Sequence, residues 1–198
     1  MKTIWIATNN PSKVKEFKYL LPEYEIKTLN DIDPNIDIPE DGATFEENAL
    51  IKARYLKDKV KGIILADDSG LCIESLNNFP GIYSARWAKP ETDWIKIVDL
   101  LLAKMKEEGL TDIDQRKAYF NSTIALIDTK NNIEKLFSFQ VHGHILDKQY
   151  IQNGFAYDTI FRPLGKEITF SQMNFEEKQT MSHRFGVIKQ VKEYLDKM

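Results

Sequence analysis

An apolar run in which Ile alternates with Trp and Ala fills residues 3–8, Thr3-Ile4-Trp5-Ile6-Ala7-Thr8, between polar ends, which predicts a buried first strand that turns at Asn9-Asn10-Pro11. Asn10 suits a helix N-cap with Pro11 at the first helical position, where a missing N–H costs nothing. Val14, Phe17 and Leu21 then mark one helical face. A polar loop covers about residues 30–43, after which Thr44 and Glu47 form a capping-box pattern. Phe45, Ala49, Ala53, Leu56 and Val60 carry the following helix to a stop near Gly62. Ile63-Ile64-Leu65-Ala66 reads as a short, wholly apolar strand from the middle of an α/β sheet. It runs into a turn-like Asp67-Asp68-Ser69-Gly70, with another strand expected over 71–75.

Further on, Thr92 is positioned to cap a helix bearing Trp94, Val98, Leu101 and Met105, closed by Gly109. Residues 116–127 and 133–146 are rich in strand formers and flank Thr129-Lys130-Asn131-Asn132, a hairpin signal. A strand is expected over about 159–162. Asn174 and Glu177 repeat the capping pattern before a final helix striped by Phe185, Ile188, Val191 and Leu195. No internal repeat, low-complexity tract or linker interrupts this order, so residues 1–198 read as one α/β domain with a mixed sheet.

Composition narrows the class. With 42% hydrophobic and 29% charged residues the chain has the balance of a globular domain able to bury a real core. Its single cysteine, Cys72, excludes an internal disulfide and fits a reducing compartment, and its apolar neighbours make it a small core residue. No stretch is long enough to span a bilayer and no signal-peptide core is visible, so the expected address is cytoplasmic, without a membrane partner. A net charge of −3 argues against nucleic-acid binding, which leaves a basic footprint.

Four clusters carry candidate chemistry, and each also has a plainer reading. Thr8-Asn9-Asn10-Pro11-Ser12-Lys13 at a strand-to-helix turn would offer backbone N–H groups, hydroxyls and a cation to phosphate, or is an ordinary capped helix. No Walker-type Gly-x-x-x-x-Gly-Lys motif is present. Asp67-Asp68 at a strand end, with Glu40 in the preceding loop, supplies hard oxygen ligands for Mg²⁺, or is a turn. Phe155 and Tyr157, one small residue apart, would stack a purine from one face of an extended segment, or are half of a core strand. Lys178 with Ser182-His183-Arg184 at the start of the last helix would reach a polyphosphate or base carbonyl, or is a charged helix end. His142 and His144 flank Gly143 without a third ligand and read as strand-surface residues. Together the four make a nucleoside-triphosphate inventory.

The ordered blocks Thr8-Asn9-Asn10…Lys13…Glu16, Phe45-Glu46-Glu47-Asn48-Ala49, Ala66-Asp67-Asp68-Ser69-Gly70-Leu71, Pro80-Gly81-Ile82-Tyr83-Ser84-Ala85-Arg86, Gly154-Phe155-Ala156-Tyr157-Asp158 and Ser182-His183-Arg184 resemble the inosine-triphosphate pyrophosphatase family, the Ham1-like group that removes non-standard purine nucleotides. The resemblance runs from end to end. It implies an elongated α/β fold with a strongly twisted mixed central sheet, flanking helices, two lobes around an active-site cleft, and a homodimer. It also implies Mg²⁺-dependent hydrolysis of ITP, dITP and XTP to monophosphate and pyrophosphate. Carried onto matching positions, it makes Asp68 the proton acceptor and, with Glu40, a metal ligand, and puts Thr8 to Lys13 on the triphosphate. Ser69, Phe155, Ala156, Tyr157, Asp158, Lys178, His183 and Arg184 become substrate contacts.

Two positions depart from the pattern. Ala156 stands where the family usually has Gly, so its methyl is expected to narrow the base slot or exclude a positive φ. Thr159 replaces Pro and is expected to loosen the turn. Two rivals remain open at this point: a Maf-like pyrophosphatase for other nucleotides, and a nucleotide-binding protein without turnover.

Overall fold

The structure, a computed structural model, describes residues 2–198. Strand β1 (Lys2–Ile6) leads into α1 (Pro11–Leu20) and β2 (Tyr24–Thr28), and α2 (Phe45–Lys57) precedes β3 (Ile63–Ile73) and the short β4 (Phe79–Pro80). Helix α3 (Trp94–Glu107) is followed by the hairpin strands β5 (Lys117–Asp128) and β6 (Ile133–Ile145). Strand β7 (Phe161–Pro163) and helices α4 (Phe175–Lys178) and α5 (His183–Leu195) complete the order. The strands form a mixed seven-stranded sheet in the order β2-β1-β3-β5-β6-β7, with β4 added on β3. β1 runs parallel to both β2 and β3, while β4 on β3 and β7 on β6 are antiparallel.

Two compact units share the chain. One takes the residues up to Asp68 with Ser122–Phe139 and His183–Met198, and the other takes Ser69–Asn121 with Gln140–Ser182. In the first unit, side chains alternate across the sheet as strand geometry requires. Leu65, Ile124 and Leu126 pack with Phe17 and Leu21 of α1 and with Val187, Ile188 and Val191 of α5. Ile64, Ala66, Ala125 and Ile127 lie in a separate cluster with Ala49, Ala53 and Leu56 of α2. The second unit has its own core, in which Val98, Leu101 and Met105 of α3 meet Leu71, Ile73, Phe120 and the aromatic group Tyr157, Phe161 and Phe170.

Most expected elements appear, with instructive differences. β3 is one strand of 11 residues rather than two short strands around a turn. Asp67 and Asp68 are turn formers in isolation, but both carboxylates find partners beside the sheet, so nothing drives the chain out of the ladder. Asp93, not Thr92, caps α3, its carboxylate accepting from the Ile95 N–H at 2.9 Å. Thr44 does accept from the Glu47 N–H, but Glu47 reaches back to the Ala43 N–H at 2.7 Å instead of closing the box on Thr44. The expected final helix is two: Asn174 caps only the single turn of α4, and Lys178 therefore lies at the end of α4 while His183 opens α5.

β6 meets β7 with Gly143 opposite Pro163, and a β-carbon added at Gly143 would lie 2.3 Å from the Arg162 carbonyl oxygen. Backbone cannot rotate away as a side chain can, so Gly143→Ala is expected to destabilise the protein by about 1–3 kcal/mol, read as a drop of several degrees in Tm.

Candidate functional site

The register of β1 on β3 decides what stands beside the acid pair. Ile6 is level with Leu65 and the Ala7 N–H donates to the Leu65 carbonyl at 2.9 Å, so the Thr8–Lys13 turn leaves the sheet two residues short of Asp67. Asp67 shares the face of Leu65, towards α1 and α5. Lys13 Nζ sits 2.7 Å from its Oδ2, Arg184 Nη2 3.4 Å from the same oxygen, and Ser122 Oγ donates to Oδ1 at 2.5 Å. Arg184 also pairs through Nη1 with Glu16 of α1. This face thus holds two buried carboxylates against two cations.

Burial alone would raise the Asp67 carboxyl, but the Lys13 and Arg184 cations and hydrogen bonds from Lys13 and Ser122 overcome it and hold the group far below the usual carboxylate range. Burial by itself would also lower the Arg184 guanidinium; Asp67 and Glu16 instead raise it. Asp67 is a fixed counter-ion.

Asp68 shares the face of Ala66, towards α2. Asn48 Nδ2 donates to its Oδ2 at 3.1 Å. Lys52 Nζ lies 3.5 Å from its Oδ1, 2.5 Å from Glu40 Oε1 and 2.8 Å from the Asp67 carbonyl oxygen. Here two carboxylates converge on one ammonium. Asp68 is raised above its ordinary value, first by burial and also by Glu40, against the lowering influence of Lys52, Lys13 and the Asn48 hydrogen bond. A carboxylate with a raised pKa beside a second acid suits proton acceptance or cation binding. The two neighbouring aspartates are therefore not a shared pair.

At the turn, the Asn10 carboxamide accepts from the Ser12 N–H at 3.0 Å and the Lys13 N–H at 3.4 Å, and Thr8 Oγ1 accepts from the Asn10 N–H. The cap thus uses the backbone donors that a bare helix end would offer an anion, a correction to the expected N–H cradle. Asn9 turns elsewhere and accepts from the Asn30 N–H at 2.8 Å. Asn10, Pro11 and Ser12 are exposed, and Lys13 keeps about a fifth of its side chain in solvent.

In the second unit, Gly154 to Asp158 is not extended. Ala156–Thr159 forms a 3₁₀ turn, which separates the two rings expected on one face. Phe155 is half exposed. Tyr157 is buried, its hydroxyl donating to the Ser84 carbonyl at 2.7 Å and accepting from Trp87 Nε1, and burial pushes that phenol up to about 12. Trp94 meets both rings edge-on. Lys178 Nζ lies 2.5 Å from Asp158 Oδ2, and Ser69 is half-buried within β3. Ala156 adopts φ 55°, so its methyl does not exclude the left-handed region. The Thr159 hydroxyl lies 2.8 Å from the Ala156 carbonyl oxygen and 3.1 Å from Gln149 Oε1, tying rather than loosening the turn. Ser182, His183 and Arg184 are all buried.

Four residues that sequence reasoning assigned no role complete the first unit's cluster: Glu16, Asn48, Lys52 and Ser122. The signal was present for two of them, since Asn48 and Lys52 fall at helical spacing beside Ala49, Ala53 and Leu56, polar residues on a stripe that is otherwise core.

Comparison with known proteins agrees along the whole chain. A sequence model of the Ham1 family matches residues 4–194. A dITP/XTP pyrophosphatase of Thermoanaerobacter pseudethanolicus is 42% identical, covering 98% of this chain and 96% of its own. Another of the same name, from Christiangramia forsetii, is 40% identical and covers both chains completely. Among solved structures, the Ham1 protein of Staphylococcus aureus superposes with a TM-score of 0.87 at 36% identity over 98% of each chain. A HAM1 protein of Coxiella burnetii gives 0.90 at 32% identity over the full length of both.

Asp67→Asn removes a counter-ion shared by half-buried Lys13 and buried Arg184 and is expected to cost about 3–5 kcal/mol in urea unfolding, whereas Asp68→Asn, which keeps an acceptor for Asn48, is expected to stay within about 1 kcal/mol of the parent. Ala156→Gly relieves a left-handed alanine and is expected to raise Tm, by about 1 kcal/mol of stability.

Proposed function

The chain belongs to the Ham1 family, and on that premise we propose that it is a nucleoside-triphosphate pyrophosphatase converting ITP, dITP and XTP to the monophosphate and pyrophosphate. The observation that carries this reading is the division of labour along β3. Asp67 is neutralised by Lys13 and Arg184, while Asp68 and Glu40 share the ammonium of Lys52. Two carboxylates that meet on one cation are a donor set for a divalent ion.

Mg²⁺ fits this donor set. Glu40 and Asp68 converge on one ammonium, so a single cation can reach both, and Mg²⁺ takes one or two carboxylates with phosphates and water completing its shell. When bound, Mg²⁺ supplies charge neutralisation and orientation of the triphosphate. The chain's own residues do the rest. Asp68, its carboxyl raised by burial, accepts the proton of the water that attacks the α-phosphorus. Lys13, held in place by Asp67, steadies charge on the phosphate oxygens, with Thr8, Asn10 and Ser12 as neutral contacts and Asn9 setting the turn through Asn30. Ser69, Phe155, Ala156, Asp158 and Lys178 are assigned to the nucleotide, Lys178 sharing the charge of the departing pyrophosphate. Tyr157 acts from the core, as the support of Phe155 through Trp94.

Base choice follows from C6. Hypoxanthine and xanthine present an acceptor oxygen there, and adenine a donor, so donors from His183, Arg184 or a backbone N–H accept the first and leave the second unpaired. A homodimer in the cytoplasm completes the proposal. The lone buried Cys72 suits a reducing compartment, and no helix among the described residues is long and apolar enough to cross a membrane.

A panel of triphosphates with separate assays for pyrophosphate and orthophosphate tests this. ITP with Mg²⁺ is expected to release pyrophosphate alone, with ATP slower by about 10⁴ in kcat/KM. Comparable turnover of ATP and ITP contradicts the C6 assignment. Asp68→Asn is expected to lower kcat by about 10²–10⁴, and a near-parental kcat removes Asp68 from the mechanism.

A further inference from the structure

The head group of Lys52 is placed where a metal ion would be placed. Its side chain is only 8% exposed, and its Nζ is surrounded by Glu40 Oε1 at 2.5 Å, the Asp67 carbonyl oxygen at 2.8 Å and Asp68 Oδ1 at 3.5 Å. An ammonium has three N–H donors and no acceptor, and here three oxygens, one from a loop and two from β3, meet it. Without it, Glu40 and Asp68 would lose the ammonium they share, a costly change for two like charges beside a buried sheet. From this geometry we propose that Lys52 is the resident counter-cation of the metal-free protein and exchanges with the divalent ion for Glu40 and Asp68. This inference rests on the metal assignment made above and adds to it a competitor for the same ligands.

The exchange follows from size and charge. A divalent ion binds carboxylate oxygen at about 2.1 Å and requires near-octahedral access. An ammonium 2.5 Å from Glu40 Oε1 occupies that oxygen, and a dication beside it would meet an unscreened positive charge. The contact to the Asp67 carbonyl oxygen does not involve a metal ligand, so it is the anchor about which the Lys52 head group pivots. The ion must therefore displace Lys52 before it holds both carboxylates. Metal affinity is low in the absence of nucleotide and rises when phosphates supply further ligands. The fold meanwhile does not depend on metal.

The test is the binding of Mn²⁺, without nucleotide, to the parent, to Lys52→Met and to Glu40→Gln, followed by the electron-spin-resonance signal of the free ion. Lys52→Met is expected to bind Mn²⁺ about tenfold more tightly than the parent, the factor that corresponds to 1.4 kcal/mol of removed competition. Glu40→Gln is expected to bind more weakly. In EDTA, Lys52→Met is expected to melt below the parent and to gain more Tm on adding metal. Equal or weaker binding by Lys52→Met overturns the exchange and leaves the metal assignment standing. No Mn²⁺ binding by any of the three, with or without ITP, overturns both. A second measurement uses the unmutated protein carrying ¹³C-lysine, with the Lys52 ε-carbon signal identified by its loss in Lys52→Arg, which keeps the cation. That signal is expected to shift on saturation with Mg²⁺, and an unmoved signal overturns the exchange even if Lys52→Met fails to fold.

Discussion

A strand sends successive side chains to opposite faces, and the first unit of this protein depends on that constraint at Asp67 and Asp68. Because Leu65 and Asp67 share one face and Ala66 and Asp68 the other, two adjacent acids enter different environments. The first closes a buried set with Lys13, Arg184, Ser122 and, beyond Arg184, Glu16. The second opens on Asn48, Lys52 and Glu40, where two carboxylates share one ammonium. One carboxylate is held ionised by its neighbours, and the other is pushed towards protonation by burial. The proposed proton acceptor is the second, because the first is already neutralised.

The same alternation joins chemistry to packing. The apolar residues that precede the acids in β3 belong to the clusters under α1 and α5 on one side and α2 on the other. Each acid thus continues a core layer, and the helices that bury Leu65 and Ala66 are those that deliver Lys13, Arg184, Asn48 and Lys52. Moving β1 by one residue on β3 would reverse which of its side chains meet each layer, so the register Ile6–Leu65 positions the Thr8–Lys13 turn as well as the core. The second unit follows a comparable logic. Its buried Tyr157 is tied by hydrogen bonds to Ser84 and Trp87, which leaves Phe155 at the surface beside Trp94.

Much of this was legible in the chain. The first strand, the Asn10 cap with Pro11, the hairpin and the mixed α/β class all follow from period and capping chemistry, because those signals are local. Asp68, Glu40 and Lys13 were also named from the sequence, and they stand in the first unit's cluster. What local reasoning lost depended on partners distant in the chain. Asp67 to Gly70 read as a turn because the cations that keep them in a strand come from α1, α2 and α5. Phe155 and Tyr157 read as a paired platform because the 3₁₀ turn between them starts at an alanine in the left-handed region, which propensity disfavours. Lys52 was overlooked as a charged residue on a helix, although its place on the buried stripe of α2 marks it as one with a partner inside.

The separation of the two aspartates is tested most directly by following their carboxyl carbons by NMR as the metal-free protein is titrated with acid. Asp68 is expected to take up its proton above the ordinary value of 3.8, while Asp67 stays ionised for as long as the protein remains folded. Coincident titration of the two, or protonation of Asp67 first, would contradict the assignment of one acid to each face.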